Sequence, residues 1–217
     1  MGTDGLIDLV RDDEEGCTMA ETRARYALSF TSGALLSREA LIAAPIYLGE
    51  RDWIETRKLL EQDNLLQART RSSGTRLARE VAQRLAVLAV EELELLLDAT
   101  PSERGHLMWV AACRRYALIG EFAEEVLRER FLVLAQTLDY DHFDSFIRGK
   151  TLWHEEVASL KDSTLKKLRS TVFRMLTEAG LLSQGLIVPA VLSPRVAARL
   201  ASRTPSDGRF FPTGGVA

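Results

Sequence analysis

Six prolines punctuate 217 residues, and none falls between Pro45 and Pro101 or between Pro101 and Pro189. Proline removes a helix hydrogen bond and collides with the preceding turn, so its absence leaves two long stretches free to coil. Both stretches are rich in Leu, Ala, Glu and Arg, which are good helix formers. Strict apolar/polar alternation is nearly missing, so strands are not expected. The chain therefore predicts an all-α, compact multi-helix globular fold. Helices are expected over 32–48, 51–62 and 73–89. A longer one starts at Thr100-Pro101-Ser102, runs to about Leu138 and breaks near Gly120. Two short helices follow in "DYDHFDSFIRG" and "TLWHEEVASL", then one across 163–182 and a last one near 194–202. Trp53, Trp109 and Trp153 sit among apolar neighbours and are expected in the core.

Apolar residues make up 46% of the chain, enough for a real core. The longest apolar runs, such as "LIVPAVL", span about 6–8 residues against the ~20 a membrane helix needs. The start, "MGTDGLIDLVRDDEEG", is acidic and lacks the basic opening of a signal peptide. Only Cys17 and Cys113 are present, in no metal or redox spacing, which fits a reducing cytoplasm. A cytoplasmic protein without a membrane segment is the expectation.

Net charge hides an uneven distribution. Residues 1–22 hold seven acids and one base, and read as a mobile acidic tail. Residues 86–144 hold five bases and twelve acids. Between and beyond lie two basic islands, 64–85 with five Arg and one acid, and 145–217 with eleven bases and five acids. The natural division is a tail at 1–22, an N-terminal helical domain at 23–138 with a basic helix-turn-helix-like element, and a C-terminal helix-turn-helix domain at 139–217.

The stretch "STLKKLRSTVFRMLTEAGLL" (163–182) carries most of the functional signal. Ser163 or Thr164 offers a hydroxyl for an N-cap, and Gly180 is a natural left-handed stop. On a helical wheel Leu165, Leu168, Val172, Met175 and Leu176 share one face. Lys166, Lys167, Ser170 and Arg174 fall opposite. The short helix upstream, a turn at Lys161–Asp162 and this helix give the order of a helix-turn-helix, whose second helix enters the DNA major groove by its N-terminal residues. After Gly180, "LLSQGLIVP" can form a short hairpin or wing. The competing reading is a solvated face on an ordinary bundle helix.

The island at 64–85 repeats the pattern. Ser72-Ser73-Gly74 reads as turn and cap, Leu77, Val81, Leu85 and Leu88 as inner face. Arg76, Arg79 and Gln83 lie outside, with Arg69 and Arg71 in the preceding turn. Arginine in that arrangement suits phosphate contacts. Glu80 can pair with Arg76 or Arg84.

Catalytic signatures are missing. "RSSGTR" is not a P-loop, and "HEEVA" lacks the second His of a zinc helix. Asp139, Asp141 and Asp144 lack further ligands and are expected to cap a helix start. No enzyme activity, metal or cofactor is expected.

The segments "YALSFTSGALL" (26–36), "NLLQARTRSSGTRLAREVAQRL" (64–85), "MWVAACRRYALIGEFAEEVLRERF" (108–131), "TLWHEEVASLKDSTLKKLRSTVFRMLTEAGLL" (151–182) and "FFP" (210–212) resemble the BrxA family of BREX phage-defence systems. The resemblance covers nearly the whole chain except 1–22, and rests on the order and spacing of segments. It implies an all-helical fold with helix-turn-helix motifs and positive patches, and double-stranded DNA binding. It also implies a place beside a methyltransferase, an ATPase and a phosphatase-like protein. The expected activity is non-enzymatic binding of duplex DNA through Arg69, Arg71, Arg76, Arg79, Lys166, Lys167, Ser170 and Arg174, with weak sequence preference. The alternative is a protein–protein adaptor that docks the defence enzymes, its basic faces being incidental.

Overall fold

A computed structural model describes residues 25–30 and 33–214. The acidic tail expected at 1–22 lies outside the described residues. Polar side chains set most helix starts. Asp52 accepts from the Ile54 N–H (2.6 Å) ahead of α2 (Trp53–Gln62), which follows α1 (Ser37–Glu50). Thr70 caps α3 (Arg71–Leu85) in a reciprocal box with Ser73, which satisfies two otherwise orphaned N–H groups. Thr100 and Glu103 form the same box at α5 (Pro101–Arg115), while at α4 (Val90–Asp98) the Glu92 carboxylate alone accepts, from the Ala89 N–H. Asp139 accepts from the His142 N–H ahead of α8 (Tyr140–Lys150), the capping role expected of it.

Several boundaries differ from expectation. The helix expected over 73–89 begins at Arg71 and stops at Leu85, so Ser72, Ser73 and Gly74 are helical and Thr70 is the cap. The separate helix α4 was not anticipated, because its cap comes from the Glu92 side chain with no Ser or Thr before it. The long helix breaks at Tyr116, which takes an extended conformation. Gly120 stays inside α6 (Ala117–Phe122), where an added Cβ would sit 3.0 Å from the Cys113 carbonyl oxygen and 3.3 Å from the Phe210 ring. The helix continues through a π-helical segment (Ala123–Arg128) into α7 (Glu129–Leu132) and ends there. Residues 136–138 instead run beside a hairpin made by β1 (Leu182–Ser183) and β2 (Leu186–Ile187), with Thr137 bridged to Leu186. The remaining elements are α9 (Glu155–Ala158), α10 (Asp162–Glu178), α11 (Pro194–Ala201) and a 3-10 turn (Asp207–Phe210).

One apolar cluster runs from Tyr26 and Phe30 to Phe210 and Phe211. Helix α5 is its axis, with every residue from Gly105 to Cys113 buried. Trp109 is fully buried and its indole N–H donates to the Phe210 carbonyl at 2.9 Å. Trp53 is half-buried and stacks on Tyr47. Trp153, expected in the core, is 71% exposed at the turn after α8; only neighbouring apolar residues in sequence suggested burial.

Charges bind distant segments into this core. Arg84 is fully buried, donates to Glu80 at 2.8 Å and also to the Ala34 carbonyl. The Tyr116 hydroxyl donates to the same carboxylate (2.7 Å), and burial together with Glu80 pushes its pKa up to about 12. Arg114 lies between Glu92 (2.6 Å) and Asp207 (2.7 Å), tying α4 to the 3-10 turn. Arg195 bridges Asp98 and Glu103.

Candidate nucleic-acid interface

Helix α10 divides as its periodicity predicts. Leu168, Val172, Met175 and Leu176 are buried and Leu165 half-buried, while Lys166, Lys167, Ser170 and Arg174 are exposed. Its start differs. Neither Ser163 nor Thr164 caps it; the helix opens after Lys161, whose carbonyl accepts from the Thr164 N–H at 2.8 Å. The two hydroxyls therefore sit inside the first turn. At the other end Gly180 adopts φ 73°, and the Leu181 N–H returns to the Leu176 carbonyl at 2.9 Å. Leu181 and Leu182 are buried there.

The hairpin expected in "LLSQGLIVP" is present. Its two-residue loop, Gln184 and Gly185, has positive φ at both positions, the backbone that matches the twist of paired strands. Two anchors fix α10 on the molecule. The Arg169 guanidinium pairs with Asp144 of α8 and lies over the Tyr140 ring, 4.4 Å from its centre. Glu178 accepts from the Leu35 N–H at 2.9 Å.

Helix α3 shows the same partition. Arg69, Arg71, Arg76 and Arg79 are exposed. Gln83 is half-buried and accepts from Arg115 at 3.2 Å, which removes it from the open face. Glu80 pairs inward with Arg84 and leaves Arg76 unpaired among the described residues.

Counting charges overstates the C-terminal island. Arg169, Arg195, Arg209 and Lys150 are engaged with Asp144, Asp98 and Glu103, Glu124, and Glu121 and Glu125 respectively. Among the described residues, Arg69, Arg71, Arg76, Arg79, Lys166 and Lys167 have no carboxylate within 4.0 Å, and Arg174 has only Glu178 at that limit. The cations singled out by position on their helices are thus open to solvent, as are Arg38, Arg51, Arg148, Lys161, Arg199 and Arg203.

One groove of about 550 Å³ is lined by residues from both α3 and α10, though of the cations singled out in the sequence Arg174 alone lines it. Leu77 of α3, between the exposed Arg76 and Arg79, lines one part; Arg174 and Glu178 of α10 line another. Arg38 and Glu39 of α1 and Arg104 of α5 complete it. Arg38 and Arg104 were not singled out in the sequence, since each stands alone on its helix face and no local pattern marks them. Arg69 and Arg71 line a second cleft of about 620 Å³ with Lys58 and Thr70. Lys166 borders a smaller one of about 330 Å³ between α8 and α10.

Among the described residues, no group of three or more His, Cys, Asp or Glu is placed to hold a metal ion. His106 is buried against Phe211, and burial lowers its pKa. His154 is buried and stacks on Tyr26. Burial pushes the Cys113 thiol well up, away from the thiolate a nucleophile needs. No described helix is long and apolar enough to cross a membrane.

Comparison with known proteins agrees with the segment pattern. The BrxA family model matches residues 24–204. A BREX protein BrxA from Escherichia coli O9:H4 (strain HS) is 25% identical over 166 residues, covering 76% of this chain and 78% of that one. A BREX protein BrxA from Paramagnetospirillum magneticum is 26% identical over 162 residues, 75% of this chain and 80% of the relative. In three dimensions the chain is similar to the crystal structure of an uncharacterized protein from Magnetospirillum magneticum. The TM-score there is 0.73 at 23% identity, over 87% of this chain and 98% of the other. With the family model spanning most of its length, the chain belongs to the BrxA family of BREX phage-defence systems.

Proposed function

We propose that the protein is a non-enzymatic double-stranded DNA-binding component of a BREX-type system, and that α10 and α3 grip the phosphate backbone. The observation that carries the reading is the exposed face of α10, where Lys166, Lys167, Ser170 and Arg174 stand clear of the core. The order of elements supports it. A short strand-like segment, α8, α9, α10 and a hairpin that pairs back onto that segment form the sequence of parts in a winged helix-turn-helix. A helix of that kind fits the major groove, about 12 Å wide. Helix α3 and the turn before it add Arg69, Arg71, Arg76 and Arg79.

Weak sequence preference follows from the chemistry of the open faces. They offer Lys, Arg and Ser, with no Asn or Gln cluster to pair with adenine. If seven cations each meet a phosphate, at ~0.9 units per contact the slope of log affinity against log salt is about −6. Other BREX proteins, a methyltransferase, an ATPase and a phosphatase-like protein, are the expected protein partners.

The test is fluorescence anisotropy of the full chain with several duplexes of unrelated sequence across a salt series. Similar affinities and a steep salt slope are expected. Absence of binding at low salt, or binding indifferent to salt, overturns the proposal and favours the adaptor.

A further inference from the structure

We propose that the groove between α1, α3, α5 and α10 is itself a phosphate-binding site, in which Arg38 and Arg104 hold the backbone of the duplex that α3 and α10 grip on either side. The inference rests on the DNA-binding reading and adds two contacts that neither helix pattern contains.

Three arginines from three helices line this groove, Arg38 of α1, Arg104 of α5 and Arg174 of α10. Gathering like charges is unfavourable unless something neutralises them. The protein does so only in part. Arg38 donates to the neutral Gln67 amide at 2.5 Å, and Arg104 to the neutral Ala99 carbonyl at 2.9 Å. Arg174 has Glu178 at 4.0 Å, with both side chains about half exposed. Glu178 is also committed to the Leu35 N–H, and Glu39 is the other acid on the walls. The walls therefore carry three cations against two acids, and an anion completes them.

Position favours a polymer over a small ion. The groove is open and continuous with Leu77, flanked in sequence by Arg76 and, two residues on, by Arg79. Its other wall is the end of the α10 stripe that runs back through Ser170 to Lys167 and Lys166. The Arg38–Gln67 bond sets the groove beside the 64–70 turn that carries Arg69. A repeating phosphate chain laid along α10 toward α3 passes Arg38 and Arg104 on the way.

The experiment titrates labelled duplex against the full chain carrying Arg38→Gln and Arg104→Gln. Two lost phosphate contacts at ~0.9 each lower the salt slope by about two units, so between about 50 and about 200 mM salt the variant loses roughly tenfold less affinity than the parent. Arg38→Lys with Arg104→Lys separates charge from structure. Lysine keeps the point charge but not the guanidinium geometry toward Gln67 and Ala99, so the slope should be retained; a slope lost equally in both double variants overturns a phosphate role. Glu39→Gln should tighten binding. If the parent binds DNA with a steep slope and both groove variants leave that slope unchanged, the groove inference fails while the DNA reading stands. If the parent binds no duplex, the underlying reading fails. An added arm uses inorganic phosphate alone: thermal stabilisation that depends on Arg38 and Arg104, with no change in DNA slope, assigns the groove to a small anion and overturns the proposal.

Discussion

The sharpest consequence concerns the triple change Lys166→Ala, Lys167→Ala, Arg174→Ala. All three side chains are exposed, and among the described residues their one ion pair is the Arg174–Glu178 contact at 4.0 Å. Exposed pairs contribute little, and surface changes usually stay within about 0.5 kcal/mol each. Alanine also favours the helix slightly more than the residues it replaces. The triple variant should therefore melt close to the parent. Its DNA binding should not survive unchanged. Three phosphate contacts at ~0.9 units each lower the salt slope by about 2.7, so over a fourfold rise in salt the parent loses roughly 40-fold more affinity than the variant. The loss should be uniform across unrelated duplexes, because phosphate contacts carry no sequence information. Anisotropy titrations at four or five salt concentrations, beside a melting curve, measure both quantities. Normal melting with unchanged affinity and slope refutes the reasoning and makes the α10 face a solvated bundle surface.

Leu168, fully buried on the opposite face, gives the converse: Leu168→Ala should cost about 2–5 kcal/mol in denaturant titrations, and a cost well below that range would mean the face is not packed as described. Arg84→Met strands the Glu80 carboxylate in the core with the Tyr116 hydroxyl, so a loss of about 3–5 kcal/mol is expected; a neutral result would show that Glu80 is readily solvated or protonated. Removing residues 1–22, which hold seven acids and one base, should leave melting intact and tighten DNA binding at low salt, and equal affinities would dismiss electrostatic competition by that segment. Stability should fall on acidification. Burial lowers the pKa of His106, so its contribution is complete above about 6.5, where the unfolded chain titrates, and is lost as pH falls below that. At Glu92, burial alone would raise the carboxyl, but the hydrogen bonds from Arg114 and the Ala89 N–H outweigh it, which adds a second loss in the carboxylate range. Melting temperatures from pH 8 to 4 should show both steps, and His106→Asn should remove the first; parallel curves for parent and variant would exclude His106.

Local signals settled a good deal. The long proline-free stretches and the 3.6-residue period determined the helical class. The same period separated the buried and exposed faces of α10, because neighbours three and four residues apart on a helix face the same way wherever the helix docks. Gly180 as stop, Asp139 as cap and the hairpin after α10 were legible for the same reason: each is a short-range backbone requirement. Where local rules competed, the reading slipped by a turn, as at Thr70 and Lys161.

What the sequence could not supply was the fate of each charge and each aromatic. Arg195 finds Glu103 across 92 residues, and Arg169 finds Asp144 across 25. Arg84 is drawn inward by a carboxylate one turn away and a carbonyl 50 residues distant. By composition these arginines are indistinguishable from Arg76 or Arg79, which stay in solvent. Trp109, among Leu107, Met108 and Val110, is buried, whereas Trp153, between Leu152 and His154, is exposed in the fold. The convergence of Arg38, Arg104 and Arg174 on one groove is decided the same way. A helix fixes which of its own residues share a face, but which faces meet depends on how the whole apolar cluster closes, and only the packed tertiary structure carries that information.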